Sequence, residues 1–201
     1  MIRNISGVIL AGGGSRRFNG IIKAKIEIGG KTIISRIIET LDDIFGEIII
    51  VTNSPEEFKE YPKFRVVRDQ FLNKGPLAGI HSALKEAENA AAFVFAGDMP
   101  LLDRDLIIRQ TDVFNSTNCD ILVPRIDEYL EPLHAIYRKT LTSMLEDYLN
   151  GDHNYAIREF YKMTGVHYLQ LKGTQKTRRA FTNINSISDI TSIEKLIGLN
   201  H

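Results

Sequence analysis

Three consecutive glycines, Gly12 to Gly14, directly follow an apolar run, and two arginines, Arg16 and Arg17, come at once after Ser15. Backbone without Cβ atoms turns its N–H groups toward an anion at close range. A guanidinium grips phosphate through two parallel hydrogen bonds. The stretch therefore has the makings of a cradle for a nucleoside triphosphate. Lys23 follows closely enough to fold back over a bound phosphate.

Two familiar phosphate loops do not fit. A P-loop ends in Gly-Lys-Ser/Thr, and "GGGSRRFN" has no lysine. The "GKT" at Gly30–Thr32 would need a glycine at position 25, where Lys25 stands. A dinucleotide fingerprint accepts Gly12 and Gly14, but Arg17 occupies the place of its third glycine. The second apolar run ends in "VTNS", with no acid to hold a ribose, which disfavours a dehydrogenase.

The elements that must position these groups read as alternating strands and helices. Ile5–Ala11, Glu47–Thr52, Phe64–Asp69, Ala91–Gly97 and Cys119–Pro124 are rich in Val, Ile and Phe, as strands covered on both faces are. "KTIISRIIETLDDIF" carries Ile33, Ile34, Ile37, Ile38 and Leu41 at helical spacing. Ser54, Pro55 and Glu57 have the pattern of a capped helix start. "PLAGIHSALKEAEN" and "RDLIIRQTDVF" read as two further helices. Further on, Glu131–Lys139 reads as a strand leading into the helix "TLTSMLEDYLN". "NYAIREFYKM", "GVHYLQL" and "RAFTNINS" then read as helix, strand and strand. Ser186 with Asp189, or Thr191 with Glu194, suits the cap of a last helix.

Such repetition predicts a parallel sheet sandwiched between helices. In that architecture the C-terminal ends of the strands share one edge, and ligands bind there. The glycine loop, Asn53, Asp69 and Asp98 should then converge. A carboxylate beside phosphates is repulsive unless a cation lies between them, so Asp98 in "AGDMPLL" is the candidate ligand for Mg²⁺.

Composition agrees with a globular chain. Of 201 residues, 43% are hydrophobic and 25% charged, and basic and acidic residues balance at 25 each. The basic excess expected of a protein that tracks nucleic acid or an acidic membrane is missing. The lone cysteine, Cys119, has no internal partner for a disulfide and suits a reducing compartment, the cytoplasm; it reads as a small buried hydrophobe. No linker or repeat divides the chain, so one domain over 1–201 is expected.

With these residues in hand, the sequence resembles the molybdenum cofactor guanylyltransferases. "LAGGGSRRF…K", "GGKTII", "RDQFLNKGPLAGI" and "GDMPLL" match in order, and "EPLHAIYRK" and "AFTNINS" are similar to segments of the second half. The likeness covers nearly the whole chain. It implies an α/β, three-layer Rossmann-like nucleotidyltransferase fold with a mostly parallel mixed sheet, with nucleotide in the first half (1–100) and acceptor in the second (101–201). It implies that Leu10, Ala11, Gly12 and Gly13 meet the nucleotide, that Lys23 touches phosphate, and that Asn53 and Asp69 contact the guanosine. Asp98 would bind nucleotide and Mg²⁺, Arg17 and Lys23 would stabilise the leaving pyrophosphate, and Asn183 and Asn185 would face molybdopterin. The implied reaction moves GMP from GTP to molybdenum-bearing molybdopterin, with other cofactor-biosynthesis proteins or molybdoenzymes as partners.

The sequence departs from the family pattern at Phe18, where methionine is usual, at Asn19, where glycine is common, and at Ile22, where Asp or Asn commonly precedes the lysine. Two other functions stay open on the residues alone: a CTP- or UTP-dependent transferase acting on a small phosphorylated acceptor, and a non-catalytic nucleotide- or cofactor-binding module. His134 in "PLHAIY" suits either a core position or contact with pterin or phosphate, whereas His81 reads as structural.

Overall fold

The computed structural model describes residues 1–12 and 20–198. Gly13, Gly14, Arg16, Arg17, Phe18 and Asn19, singled out above, lie outside the described residues.

The sheet grows outward from β1 (Ile5–Leu10), which pairs in parallel with β4 (Ile48–Val51) on one side and β6 (Ala91–Ala96) on the other. β5 (Arg65–Val67) extends it beyond β4, also in parallel. On the opposite flank β9 (His134–Arg138) runs antiparallel to both β6 and β7 (Ile121–Ile126), and β10 (Val166–Leu171) closes the edge in parallel with β7. The strand order is β10-β7-β9-β6-β1-β4-β5, with the short β8 (Tyr129–Leu130) paired to β7 as a hairpin. β9 is antiparallel for a simple reason: no helix separates it from β7, and a parallel return needs a crossover. The sheet is therefore mostly parallel and mixed.

Alternation along each strand feeds two apolar layers. Ile5, Ile9, Ile48, Ile50, Phe93 and Phe95 point to one face; Val8, Ile49, Val51, Ala92 and Val94 point to the other. The first face is covered by α1 (Ile33–Leu41), α3 (Arg104–Ser116) and α7 (Ile187–Leu196). The second is covered by α2 (Pro76–Glu86), α4 (Thr142–Asn150) and α5 (Ile157–Tyr161). α1 buries the five apolar residues of its stripe and is capped by Thr32, whose side chain accepts from the Ser35 N–H.

Several local expectations are corrected. Pro55–Phe58 forms a 3-10 turn in which Ser54 makes no capping bond, so the expected capped helix is absent there. The expected strand at "RAFTNINS" is instead the end of α6 (Gln175–Ala180) followed by an extended, unpaired segment. That segment is held by Ile184, whose side chain is fully buried and whose N–H donates to the Asp98 carbonyl at 3.0 Å. The last helix starts as expected, with the Ser186–Asp189 capping box formed. A small hairpin, β2 (Glu27–Ile28) and β3 (Lys31–Thr32), was not anticipated. Its turn is made by Gly29 and Gly30, both at positive φ, the conformation two-residue hairpin turns require. No helix of the described residues is long and apolar enough to cross a membrane.

Candidate active site

Four strand ends meet at one edge of the sheet, in the spatial order β6, β1, β4, β5. Gly12 follows β1, Asn53 follows β4, Asp69 follows β5 and Asp98 follows β6, and all four line a cavity of about 380 Å³. The convergence expected from the order of the elements is present for each of these residues. Leu10 and Ala11 also line the cavity.

Gly97 lets the two central strand ends close up. Its N–H donates to the Leu10 carbonyl at 2.9 Å, and a Cβ there would stand 2.7 Å from that oxygen and 3.0 Å from the Ala11 Cα. Only glycine permits this approach, and it sets Asp98 beside Gly12.

Lys23 enters from the other side, on a 3-10 turn over Lys23–Lys25. Ile22, at the position where a polar residue is common, packs against the main core and anchors that turn. The Lys23 Nζ donates to Asp98 Oδ2 at 2.8 Å and to Asn185 Oδ1 at 2.8 Å. Both side chains of the ion pair are more than three-quarters buried, at 23% and 21% exposure. Asn185 is oriented by its neighbourhood: its N–H and that of Ser186 both donate to Asp189 Oδ2, at 2.7 and 2.8 Å. The neighbouring Asn183 has a buried Oδ1 without a hydrogen-bond partner among the described residues.

At the opposite end of the cavity the Asn53 Nδ2 donates to Asp69 Oδ2 at 3.3 Å. Burial raises the Asp69 pKa above the ordinary aspartate value, and the Asn53 bond partly opposes this. Asp69 Oδ1 is buried and has no hydrogen-bond partner among the described residues. The loop that follows Asp69 is fixed to α2 by the Gln70 N–H, which donates to the Ser82 hydroxyl at 3.1 Å.

The loop from β5 to α2 also contributes Phe71, Asn73 and Lys74 to the wall, residues to which the sequence reading assigned no part. The available signal was their position: they follow a strand end at the ligand-bearing edge. His134 settles on the other side of its alternative. It is fully buried, edge-on to Phe93, Phe95 and Phe181 at centroid distances of 5.3, 5.0 and 4.8 Å, and does not line the cavity. Burial depresses its pKa to about 4. His81 is likewise fully buried, against Phe71.

The donor set suits a hard cation of limited protein ligation. Among the described residues no cluster of three or more His, Cys, Asp or Glu could hold a metal by itself. Asp98, already facing a cation in Lys23, fits the arrangement in which one carboxylate and the substrate's own phosphates share the ion.

A parallel-sheet edge with its cationic and acidic groups at one end of a nucleotide-sized cavity defines the class, a nucleotide-binding α/β enzyme of the nucleotidyltransferase kind. Comparison with known proteins narrows it. The family model described as "MobA-like NTP transferase domain" matches residues 7–169. The chain is 36% identical to the "Probable molybdenum cofactor guanylyltransferase" of Natranaerobius thermophilus, with 98% of each chain covered. It is 35% identical to the "Molybdenum cofactor guanylyltransferase" of Syntrophotalea carbinolica, covering 92% of this chain and 88% of that one. Its fold is similar to the crystal structure of molybdopterin-guanine dinucleotide biosynthesis protein A from Archaeoglobus fulgidus, with a TM-score of 0.81, 24% identity, and 98% and 100% of the two chains covered. The chain belongs to the MobA-like NTP transferase family.

Proposed function

We propose that this protein transfers GMP from GTP to molybdenum-bearing molybdopterin in a Mg²⁺-dependent reaction that releases pyrophosphate. The observation that carries the proposal is the meeting of Lys23, Asp98 and Asn185, the last from 162 residues along the chain, at one end of the cavity. It joins the nucleotide-binding half to the segment that would face the acceptor.

In the reaction, a terminal phosphate oxygen of molybdopterin attacks the α-phosphorus of GTP in line. The new P–O bond forms as the bond to the bridging oxygen breaks, and pyrophosphate departs with that electron pair. The attacking phosphate is already anionic, so no side chain has to remove a proton. What remains for the protein is positioning and charge neutralisation. Leu10, Ala11 and Gly12 present backbone to the nucleotide, and Asn53 and Asp69 hold the guanosine end. Lys23 leaves Asp98 to follow charge onto the departing pyrophosphate, with Arg17 as its expected companion. Asn183 and Asn185 orient the acceptor. Asp98 would hold a magnesium ion, which would supply neutralisation of the phosphate charge. The reading calls for no nucleic acid or membrane partner, leaves other cofactor-biosynthesis proteins or molybdoenzymes as recipients of the product, and places the protein in the cytoplasm.

The test is pyrophosphate release from GTP, CTP, UTP and ATP, each with molybdopterin and Mg²⁺. Release with GTP above the others is expected. A pyrimidine preference would overturn the guanylyl assignment, and nucleotide binding without release would make the protein a carrier.

A further inference from the structure

We propose that Lys74, held in place by Tyr155, selects guanine by donating a hydrogen bond to its O6 carbonyl. The inference rests on the guanylyl-transfer reading above and names a specificity-determining residue within it.

The direction of the bound nucleotide follows from the strand order. Lys23 and Asp98 mark the phosphate end, at β6, and the edge then runs through β1 and β4 to β5. Neighbouring strands lie about 4.8 Å apart, so this edge is roughly 14 Å long, the reach of a nucleotide from triphosphate to base. The base therefore arrives at the loop between β5 and α2. Lys74, one of the residues that line this wall, carries an ammonium, which only donates. Guanine presents an acceptor at position 6, whereas adenine presents an amino donor there. A fixed cation at this wall favours the first and opposes the second.

Lys74 is held unusually firmly for a loop lysine. Its neighbours Asn73 and Gly75 both have positive φ, at 61° and 68°, and Asn73 is one of two non-glycine residues with that conformation among the described residues. Its ammonium lies 4.0 Å from the centre of the Tyr155 ring and donates to the Tyr155 hydroxyl. That hydroxyl donates in turn to the Gly151 carbonyl at 2.6 Å, which leaves its lone pairs facing the lysine. An ammonium has three donors, and the phenol takes one, so a base carbonyl finds others already oriented.

The experiment measures equilibrium binding of GTP, ITP and ATP, with Mg²⁺, to the wild type and to Lys74→Met, Lys74→Arg and Tyr155→Phe. ITP keeps the 6-oxo group without the 2-amino group. Lys74→Met should weaken GTP and ITP alike by roughly ten- to a hundredfold, the worth of a hydrogen bond to a charged group, and leave ATP binding undiminished or tighter. Lys74→Arg should retain most of the preference. Tyr155→Phe, which keeps the ring, should show a smaller loss confined to GTP and ITP; if Lys74→Met does not fold, this variant carries the comparison. Equal weakening of all three nucleotides would make Lys74 a strut between the two halves, and unchanged binding would remove it from the site; either overturns the inference. A wild type without preference for 6-oxopurines would bring down the guanylyl reading itself. A GTP-selective wild type whose selectivity survives Lys74→Met would bring down this inference alone.

Discussion

Lys23 and Asp98 stand 75 positions apart in the chain and 2.8 Å apart in space, joined at one end of the cavity. Asp98→Asn keeps the shape and removes the charge. Turnover should fall about a hundredfold or more, the scale for losing one electrostatic stabiliser of a transferring group. A Mg²⁺-dependent pyrophosphate-release assay checks this, and near-normal turnover would strip Asp98 of its role.

The close approach of β1 and β6 rests on Gly97. In Gly97→Ala the added methyl would meet the backbone at the end of β1, 2.7 Å from the Leu10 oxygen and 3.0 Å from the Ala11 Cα, with no flexible side chain to yield. We expect a loss of about 1–3 kcal/mol of stability, the usual cost of overpacking, together with weaker GTP binding as Asp98 is pushed away from Gly12. Urea unfolding gives the first quantity and nucleotide titration the second; a variant that binds GTP as well as the wild type would contradict the positional argument.

His134 should make stability pH-dependent. Its pKa falls from 6.5 to about 4 because burial disfavours the charged ring. Between those values the unfolded chain binds the extra proton, so this contribution is complete above the unfolded pKa and is lost as pH falls through the window. By about pH 5 the cost is on the order of 2 kcal/mol. Chemical denaturation of wild type and His134→Asn across this range should show the steeper acid loss in the wild type. Parallel profiles would mean that the ring titrates normally.

Glu131 acts with the opposite sign. Burial raises its carboxyl from 4.5 to about 7. The folded state then holds the proton more tightly, and stability declines as pH rises through that interval. Glu131→Gln removes the titration. Its melting temperature should exceed that of the wild type above about pH 7, with the gap closing toward about pH 5. Thermal melts at both ends of the range decide the matter, since a constant difference would point to packing alone.

How much of this was legible depends on the range over which each feature is determined. The buried strands and the stripe of α1 were readable because burial on a pleated or helical surface imposes a local period, as in Ile33, Ile34, Ile37, Ile38 and Leu41. Asn53, Asp69 and Asp98 were readable as a group because parallel strands put their ends on one edge. The "NIN" segment was misread as a strand: its apolar residue, Ile184, is buried as a strand residue would be, but its backbone is held to Asp98 rather than to a ladder. The Gly29–Gly30 hairpin was missed because its strands are two residues long, too short to show alternation.

The amino-acid order alone determined the layered architecture and the sheet edge at which Gly12, Asn53, Asp69 and Asp98 gather, since apolar strand runs and the residues that end them are properties of short stretches. Tertiary structure alone decided that Asn185 meets Lys23, that Tyr155 holds Lys74, that β9 enters between β6 and β7 in the reverse direction, and that His134 turns inward among three aromatic rings. These depend on which strand lies beside which and on how far side chains reach across the gap. Local periodicity carries neither quantity; the packing of the whole chain supplies both.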